Sequence, residues 1–189
     1  MIEHSTINAL MEQASSGDDA AFGALAAAVQ DELFRLAGAL GLRRDDAAEA
    51  TQEALVRAYA NRSRWTAGTD AMPWLCGIAV NVAREARRRE KRKKLFLRAA
   101  WHDASAREAE SPIGSDGDGL PQDESRLLRQ AVAGLPDRQR EAIACRYLRR
   151  MSVHETALAM GCAEGTVKSA VSTALERLRA VLEDQDEPT

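Results

Sequence analysis

Between Phe22 and Leu40 the apolar residues Phe22, Leu25, Ala26, Val29, Leu33, Leu36 and Leu40 recur at steps of three and four. That spacing follows the 3.6-residue period of an α-helix, not the two-residue period of a strand. Ahead of it, Ser16, Gly17, Asp18 and Asp19 read as a turn and a helix start, with Asp18 as the N-cap. Gly41 is placed to end the helix. Asp45 or Asp46 is expected to cap a second helix, running to about Ala60, with Ala47, Ala50, Ala54, Leu55 and Ala58 on its apolar side. Its opposite side carries Glu49, Gln52, Glu53 and Val56. Residues 61–70 have loop chemistry. A third helix should start near Met72 and Pro73 and keep Leu75, Ile78, Ala79 and Val82 on one side. Hydrophobic residues make up 45% of the chain but aromatics only 4%, so the core must be built mainly from Ala, Leu and Val. The fold class expected is all-α.

The composition changes over residues 99–122, where Gly, Ser, Pro and Asp accumulate. This segment reads as a flexible acidic linker, with a reach of roughly 25–30 Å for about 24 residues. A second helical module follows. One helix covers about residues 123–133, with Leu128, Val132 and Leu135 inward, and the stretch LPDRQRE opens another, with Pro136 near its first turn. The expected organisation is two small helical domains, 1–98 and 123–189, joined by the linker 99–122. The last residues, EDQDEPT, read as a short, disordered acidic tail. No internal repeat is visible.

The chain carries a net charge of −3, which argues against a uniformly basic nucleic-acid binder. The average conceals a strong asymmetry. Residues 84–98 hold nine cations against two acids, a net of +7. As a helix, this segment puts Arg84, Arg87, Arg88, Lys91 and Arg98 on one broad side, a stripe suited to a polyanion. An anionic membrane surface is the rival target, but the apolar side of this helix is needed for the domain's own core. Nucleic acid is the better fit.

Other chemistries find little support. Cys76, Cys145 and Cys162 are far apart in sequence, and no Cys/His cluster has metal-ligand spacing. The expectation is three reduced thiols in a cytoplasmic protein, with no metal and no cofactor. No apolar run has the length of a membrane span, and no signal peptide is evident. There is no Gly-rich phosphate loop and no nucleophile with a partner base, so neither an enzyme nor a small-molecule substrate is expected.

Residues 152–182 have the form of a helix-turn-helix. Ser152 and Glu155 form the S-x-x-E capping box, Ala157 permits a close crossing, and Gly161 supplies the turn. Val153, Ala157 and Met160 should face Val167, Val171, Ala174 and Leu178. Thr166, Lys168, Ser169 and Ser172 then point outward, with Arg177 and Arg179 further on, and can reach phosphates or base edges. An ordinary helical hairpin would look similar on this stretch alone.

Taken together, DDAAEATQEALVRAYANRSRW, MPWLCGIAVNVAREARRR and LPDRQREAIACRYLRRMSVHETALAMGCAEGTVKSAV resemble, in order and spacing, a bacterial RNA polymerase sigma factor of the small extracytoplasmic-function (ECF) subfamily. The resemblance covers roughly residues 18–98 and 123–183. It implies that the first domain binds the clamp helices of core RNA polymerase and melts the minus-ten promoter element. The second would read the minus-thirty-five element and touch the polymerase flap. Glu49, Gln52 and Glu53, beside Val56, match the polymerase-binding pattern, although Glu53 and Arg57 could simply pair at i,i+4. The loop 61–70 matches the segment that captures an unstacked promoter base, with Arg64 and Trp65 as its candidates. Trp74 is expected in the core. Asn81 matches a position usually Asn in the family, and Arg84, Arg87, Arg88 and Lys91 join the minus-ten set. Thr166, Lys168, Ser169 and Ser172 form the minus-thirty-five set. Family members usually carry basic residues where Ala170, Thr173 and Leu175 stand, and often Ser where Ala163 caps the helix, so weak duplex grip is expected here. Promoter DNA and core polymerase are the implied partners, and an anti-sigma protein is a candidate third. The alternative is a free-standing helix-turn-helix regulator acting on an operator as a dimer.

Overall fold

The computed structural model of the chain describes residues 4–100 and 122–183, with side chains for 4–97 and 127–183. Every regular element among them is helical: α1 (His4–Ser15), α2 (Asp19–Ala39), α3 (Arg44–Asn61), α4 (Ala71–Ala100), α5 (Gln122–Gly134), α6 (Asp137–Ile143), α7 (Val153–Met160) and α8 (Glu164–Glu183). A 3-10 turn, Arg62–Arg64, follows α3, and a π-helical turn, Ala144–Leu148, continues α6. Of the expected linker, Ala99 and Ala100 instead close α4 and Gln122 opens α5. The remainder of the linker, His102 and the tail from residue 184 lie outside the described residues.

The first four helices form one packed unit. Ile7, Met11 and Ala14 give α1 a buried stripe at helical spacing, although the sequence reading assigned no element there. Asp18 caps α2 as expected, its carboxylate accepting from the Ala21 amide at 3.0 Å. The helix ends at Leu40, after which Gly41 takes φ 89°, a left-handed conformation that glycine adopts without strain. The expected cap of α3 differs. The helix begins one residue before Asp45, and its N-cap position is Arg43, whose side chain makes no cap hydrogen bond. Asp45 and Asp46 instead lie in the first turn, where their charge complements the helix dipole. The start of α4 is held from two sides. Asn8 accepts from the Ala71 amide at 2.9 Å and Asp70 from the Met72 amide at 3.0 Å.

The core of this unit is leucine against alanine. Leu25, Leu33, Leu36, Leu40 and Leu75 are fully buried with Met11 and Val80. The alanine stripe of α3, Ala47, Ala50, Ala54 and Ala58, lets α2 and α4 close on it with little side-chain bulk between. Trp74 is half-buried against this core, as its expected packing role requires. The last apolar residues of α4 depart from the expectation that the apolar side of this helix is needed for the domain's own core. Leu95, Phe96 and Leu97 are exposed, because α4 by then has run past its neighbours.

The second half contains the helix-turn-helix. The capping box is complete: the Ser152 hydroxyl accepts from the Glu155 amide at 3.2 Å, and the Glu155 carboxylate accepts from the Ser152 amide at 2.6 Å. Gly161 adopts φ 62° and turns the chain. Ala157 and Met160 meet Val167, with Val153 and Val171 alongside. Ala174 and Leu178, expected to face α7, pack instead with Leu135 and Ile143. The reason is length. The 8 residues of α7 span about 12 Å and the 20 of α8 about 30 Å, so the later turns of α8 lie beyond α7 and are covered by α5 and α6.

The two halves are not merely tethered. Ala144, Cys145, Met151 and Ala159 belong to the same buried cluster as α1–α4. Where α4 crosses α7, a Cβ on Gly77 would sit 3.3 Å from the backbone of Ala159, a tight contact that glycine avoids. The Cys76 and Cys145 thiols lie in the shared cluster, and burial pushes both up to about 12, leaving them protonated and inert.

Two outcomes test this description. Leu33→Ala, deep between α2 and its neighbours, should lower stability by about 2–5 kcal/mol in urea denaturation. The capping box should be acid-sensitive. The hydrogen bonds from Ser152 hold the Glu155 carboxyl below its ordinary range. A depressed folded-state value stabilises above the unfolded value and is lost as pH falls through the folded one. Removing the carboxylate by Glu155→Gln should therefore narrow the stability difference between neutral and acidic pH, measured by thermal melts across that range.

Candidate functional site

Three surfaces carry the residues singled out from the sequence. The first is the outer side of α3. Glu49, Gln52 and Val56 are exposed, the last at 63%, and Glu53 is half-buried. The alanines on the opposite side fix this outcome, since burying them turns the acidic side to solvent. Glu53 does pair with Arg57 at 2.7 Å, and the same guanidinium clasps Glu85 of α4 in a two-pronged contact at 2.9 and 2.7 Å. The hydrogen bond from Arg57 holds the Glu85 carboxyl below its usual range, and the two carboxylates keep Arg57 firmly protonated. The clasp anchors Glu53 while leaving Glu49 and Gln52 presented beside an exposed valine.

The second surface is the loop after α3. Arg64 is exposed. Trp65 is not: it is 6% exposed and belongs to the central core. A ring packed there offers no free face for a base, which corrects the expectation that Trp65 is displayed with Arg64. The correction has a simple cause. The 3-10 turn at Arg62–Arg64 ends with Trp65 in an extended conformation, and its side chain packs into the core. Arg62 holds the turn through Nε to the Ala14 carbonyl at 3.1 Å, and its guanidinium stacks over Tyr59 at 4.0 Å.

The third is the basic stripe of α4. Asn81, Arg88, Arg89 and Lys91–Lys94 are exposed. Arg84 and Arg87 are turned against the second half of the chain. Glu141 of α6 is 1% exposed, and its Oε1 accepts from Arg84 Nε at 2.9 Å and from Arg87 at 3.0 Å. Its Oε2 accepts from Arg84 at 2.7 Å. Arg84 also donates to Asn81 at 3.0 Å and to the Met160 carbonyl at the end of α7, while Arg87 donates to the Leu40 carbonyl at 2.7 Å. Lys91, largely exposed, reaches Asp137 at 2.9 Å. Although partial burial opposes it, this contact and nearby Arg87 hold the Asp137 carboxyl below its ordinary range. The stripe read from sequence is therefore divided. Its outer part faces solvent, and Arg84 and Arg87 are neutralised from within.

On α8, Thr166, Lys168, Ser169 and Ser172 are all exposed, as the helical period requires. Ser172 also donates to Glu176 at 3.3 Å. Ala170 and Leu175 are half-buried and pack into the two small cores, so they serve the fold of this half. Ala163 precedes α8 and supplies only its carbonyl, to the amides of Thr166 and Val167.

The sequence reading missed the partners of the basic stripe. Glu141, Asp137, Arg140 and the Glu32–Arg149 pair all tie the second half to the first. Two signals were present. Glu141 stands beside Ala142 and Ile143 on a short helix with an inward face, and Gly77 interrupts an otherwise apolar helical run, which usually has a packing reason. Among the described residues no group of His, Cys, Asp and Glu could hold a metal ion, and no helix is long and apolar enough to cross a membrane.

This geometry can be set beside known proteins. The Sigma-70 region 2 family matches residues 25–93 and the Sigma-70 region 4 family residues 131–180. The RNA polymerase sigma-E factor of Streptomyces avermitilis is 34% identical over 161 residues, covering 83% of this chain and 82% of the relative. The ECF RNA polymerase sigma factor SigM of Mycobacterium tuberculosis is 30% identical over 168 residues, covering 88% and 80%. The sigma factor RpoE from Bartonella quintana, solved with the anti-sigma factor NepR, superposes with a TM-score of 0.69 at 26% identity, covering 82% of this chain and 92% of that one. Matches to both regions, in order and over both halves, set aside a free-standing helix-turn-helix regulator, and the chain belongs to the ECF RNA polymerase sigma factors.

Proposed function

We infer that this protein binds core RNA polymerase and directs it to promoters. The observation that carries the reading is the outer side of α3, where Glu49, Gln52 and Val56 are presented on a rigid helix whose other side is locked into the core. An acidic and partly apolar helix side held this way suits a partner helix, here the polymerase clamp. Glu53, clasped by Arg57 through Oε1, keeps a half-exposed side chain beside them.

The promoter contacts follow from the exposed cations. Arg64 in the loop, with Asn81, Arg88 and the outer cations of α4, makes a surface for the minus-ten strand, which Arg84, Arg87 and Lys91 would extend. Thr166, Lys168, Ser169 and Ser172 on α8 read or position the minus-thirty-five duplex. With one cation among those four, this helix grips DNA weakly, and polymerase supplies much of the affinity. An apolar cleft between α5 and α8, lined by Leu127, Ala131, Leu178, Val181 and Leu182, suits an apolar element of the polymerase flap. Residues 1–98 and 123–189 form the two working domains of this scheme, joined across 99–122. The protein has no catalysis of its own in this role, since bond formation belongs to polymerase. Its work lies in the cytoplasm, where the chromosome and polymerase are. An anti-sigma protein is a candidate regulator, by likeness to the relative solved with one.

Pull-down with core RNA polymerase tests the reading directly. The wild type should bind at nanomolar levels, and Glu49→Lys/Glu53→Lys should abolish binding while leaving the helical circular dichroism unchanged. Absence of wild-type binding would sink the proposal. On a promoter duplex, holoenzyme carrying Lys168→Ala should show a salt dependence shallower by roughly 0.9 in log–log slope, the equivalent of one phosphate contact. An unchanged slope would remove Lys168 from the DNA interface.

A further inference from the structure

We propose that the far end of α4 is a docking surface for an anionic lipid bilayer. Leu95 and Phe96 enter the headgroup boundary, and the cations around them meet the lipid charge. This goes beyond the promoter role and uses two apolar residues to which that role gives no task.

On sequence alone a membrane target fails, because the apolar side of this helix is needed in the core. The structure removes that objection at the end of the helix. Leu95 is 70% exposed and Phe96 74%, and among the described large apolar residues none is more exposed. Both follow the turns of α4 that pack against other helices.

Helical spacing sets these two residues among cations. Leu95 follows Lys91 by four residues and Arg92 by three, and Phe96 follows Arg92 by four, so all share one side of the helix. Arg88 and Arg89 extend that side one turn back, and all four cations are exposed. Lys91 reaches Asp137 at 2.9 Å, yet its side chain stays 69% exposed. The acid of this stretch, Glu90, lies on the opposite side of the helix, where it pairs with Lys94 at 3.4 Å. The side that carries Leu95 and Phe96 therefore presents positive charge and apolar surface together.

Charge complementarity selects the occupant. A second copy of this chain would bring the same positive charge against itself. A nucleic-acid strand satisfies the cations and can stack a base on Phe96, but it gains nothing comparable from aliphatic Leu95. An anionic bilayer satisfies both kinds of group. Acidic headgroups meet the arginines and the lysine, while Leu and Phe enter the acyl boundary beneath them. The long stems of Arg and Lys let their charged ends stay at headgroup level as the apolar neighbours sit deeper. Residues 88–97 span about 15 Å, so the contact is short and its hold on the membrane reversible. Lipid and nucleic acid compete for these cations, so a chain seated on the bilayer is withheld from DNA at this surface.

Cosedimentation of the full chain with vesicles is the test. One set of vesicles contains equal parts phosphatidylglycerol and phosphatidylcholine, and the other phosphatidylcholine alone. Wild type should partition onto the anionic set about a hundredfold more strongly, since each cation near such a surface is worth roughly fivefold. Leu95→Ala/Phe96→Ala should lower binding to the anionic set about tenfold or more. The same variant should keep the helical circular dichroism and bind a fluorescein-labelled single-stranded oligonucleotide as wild type does. Arg88→Glu/Arg92→Glu should lose both ligands. The proposal is overturned if wild type does not bind the anionic vesicles or binds both sets equally. It is also overturned if the alanine pair binds anionic vesicles as tightly as wild type, which would leave a cation stripe with no inserted residue. Loss of oligonucleotide binding by the alanine pair, with vesicle binding retained, would assign Leu95 and Phe96 to nucleic acid instead. Neither polymerase nor promoter enters the vesicle experiment, so the polymerase role and the lipid surface stand or fall separately.

Discussion

The Glu141 carboxylate sits out of water between two guanidinium groups, and the positions of the last three helices follow from that one arrangement. A buried acid without partners would cost several kcal/mol. Arg84 and Arg87 supply the partners, three residues apart on one side of α4, which fixes where α6 docks along that helix. Arg84 then reaches the carbonyl at the end of α7, placing positive charge where the helix dipole is negative. Docked there, α7 crosses α4 at Gly77, and α8 projects outward with Thr166, Lys168, Ser169 and Ser172 in solvent. The net stabilisation from such a buried cluster is small. What it contributes is uniqueness of geometry.

The same helix thereby serves two masters along its length. Its early turns, with Leu75, Cys76, Ala79, Val80 and Val82, belong to the shared core. Its middle turns carry the arginines that meet Glu141, and its later turns carry exposed cations, of which Lys91 meets Asp137 and Lys94 meets Glu90. A helix of 30 residues is about 45 Å long by its rise per residue, more than its neighbours α1, α2, α3 and α7 can cover. The uncovered end is where charge density is tolerated and where a polyanion has room to approach. On α3 the division is by face instead of by length. Alanines bring α2 and α4 close, and the opposite face is left for a partner. Arg57 links the two devices, joining Glu53 of that face to Glu85 of the basic helix.

Much of this was readable in the residues. The seven apolar positions from Phe22 to Leu40, the Asp18 cap, the Ser152–Glu155 box and the Gly161 turn all appear where the sequence placed them, because each depends on residues within a turn or two of one another. The helix of residues 4–15 was not read, since its stripe of Ile7, Met11 and Ala14 is short and has meaning only against α2 and α4. Of the site, Glu49, Gln52, Val56, Thr166, Lys168, Ser169 and Ser172 were correctly read as outward, because outwardness follows from helical period alone.

Trp65 and the arginines of α4 show where that reasoning stops. Local pattern says that a tryptophan in a polar loop and arginines in a basic run face solvent. After a 3-10 turn the first packs into the core, and a carboxylate more than fifty residues away claims Arg84 and Arg87. The sequence by itself determined the longer helices, the Asp18 and Ser152–Glu155 caps and which helix faces are apolar, since these are set by short-range hydrogen bonding and side-chain period. Only the tertiary structure decided which cations remain free and how the two halves meet, since a charge is neutralised by whatever lies near it in space, and that neighbour is chosen by packing.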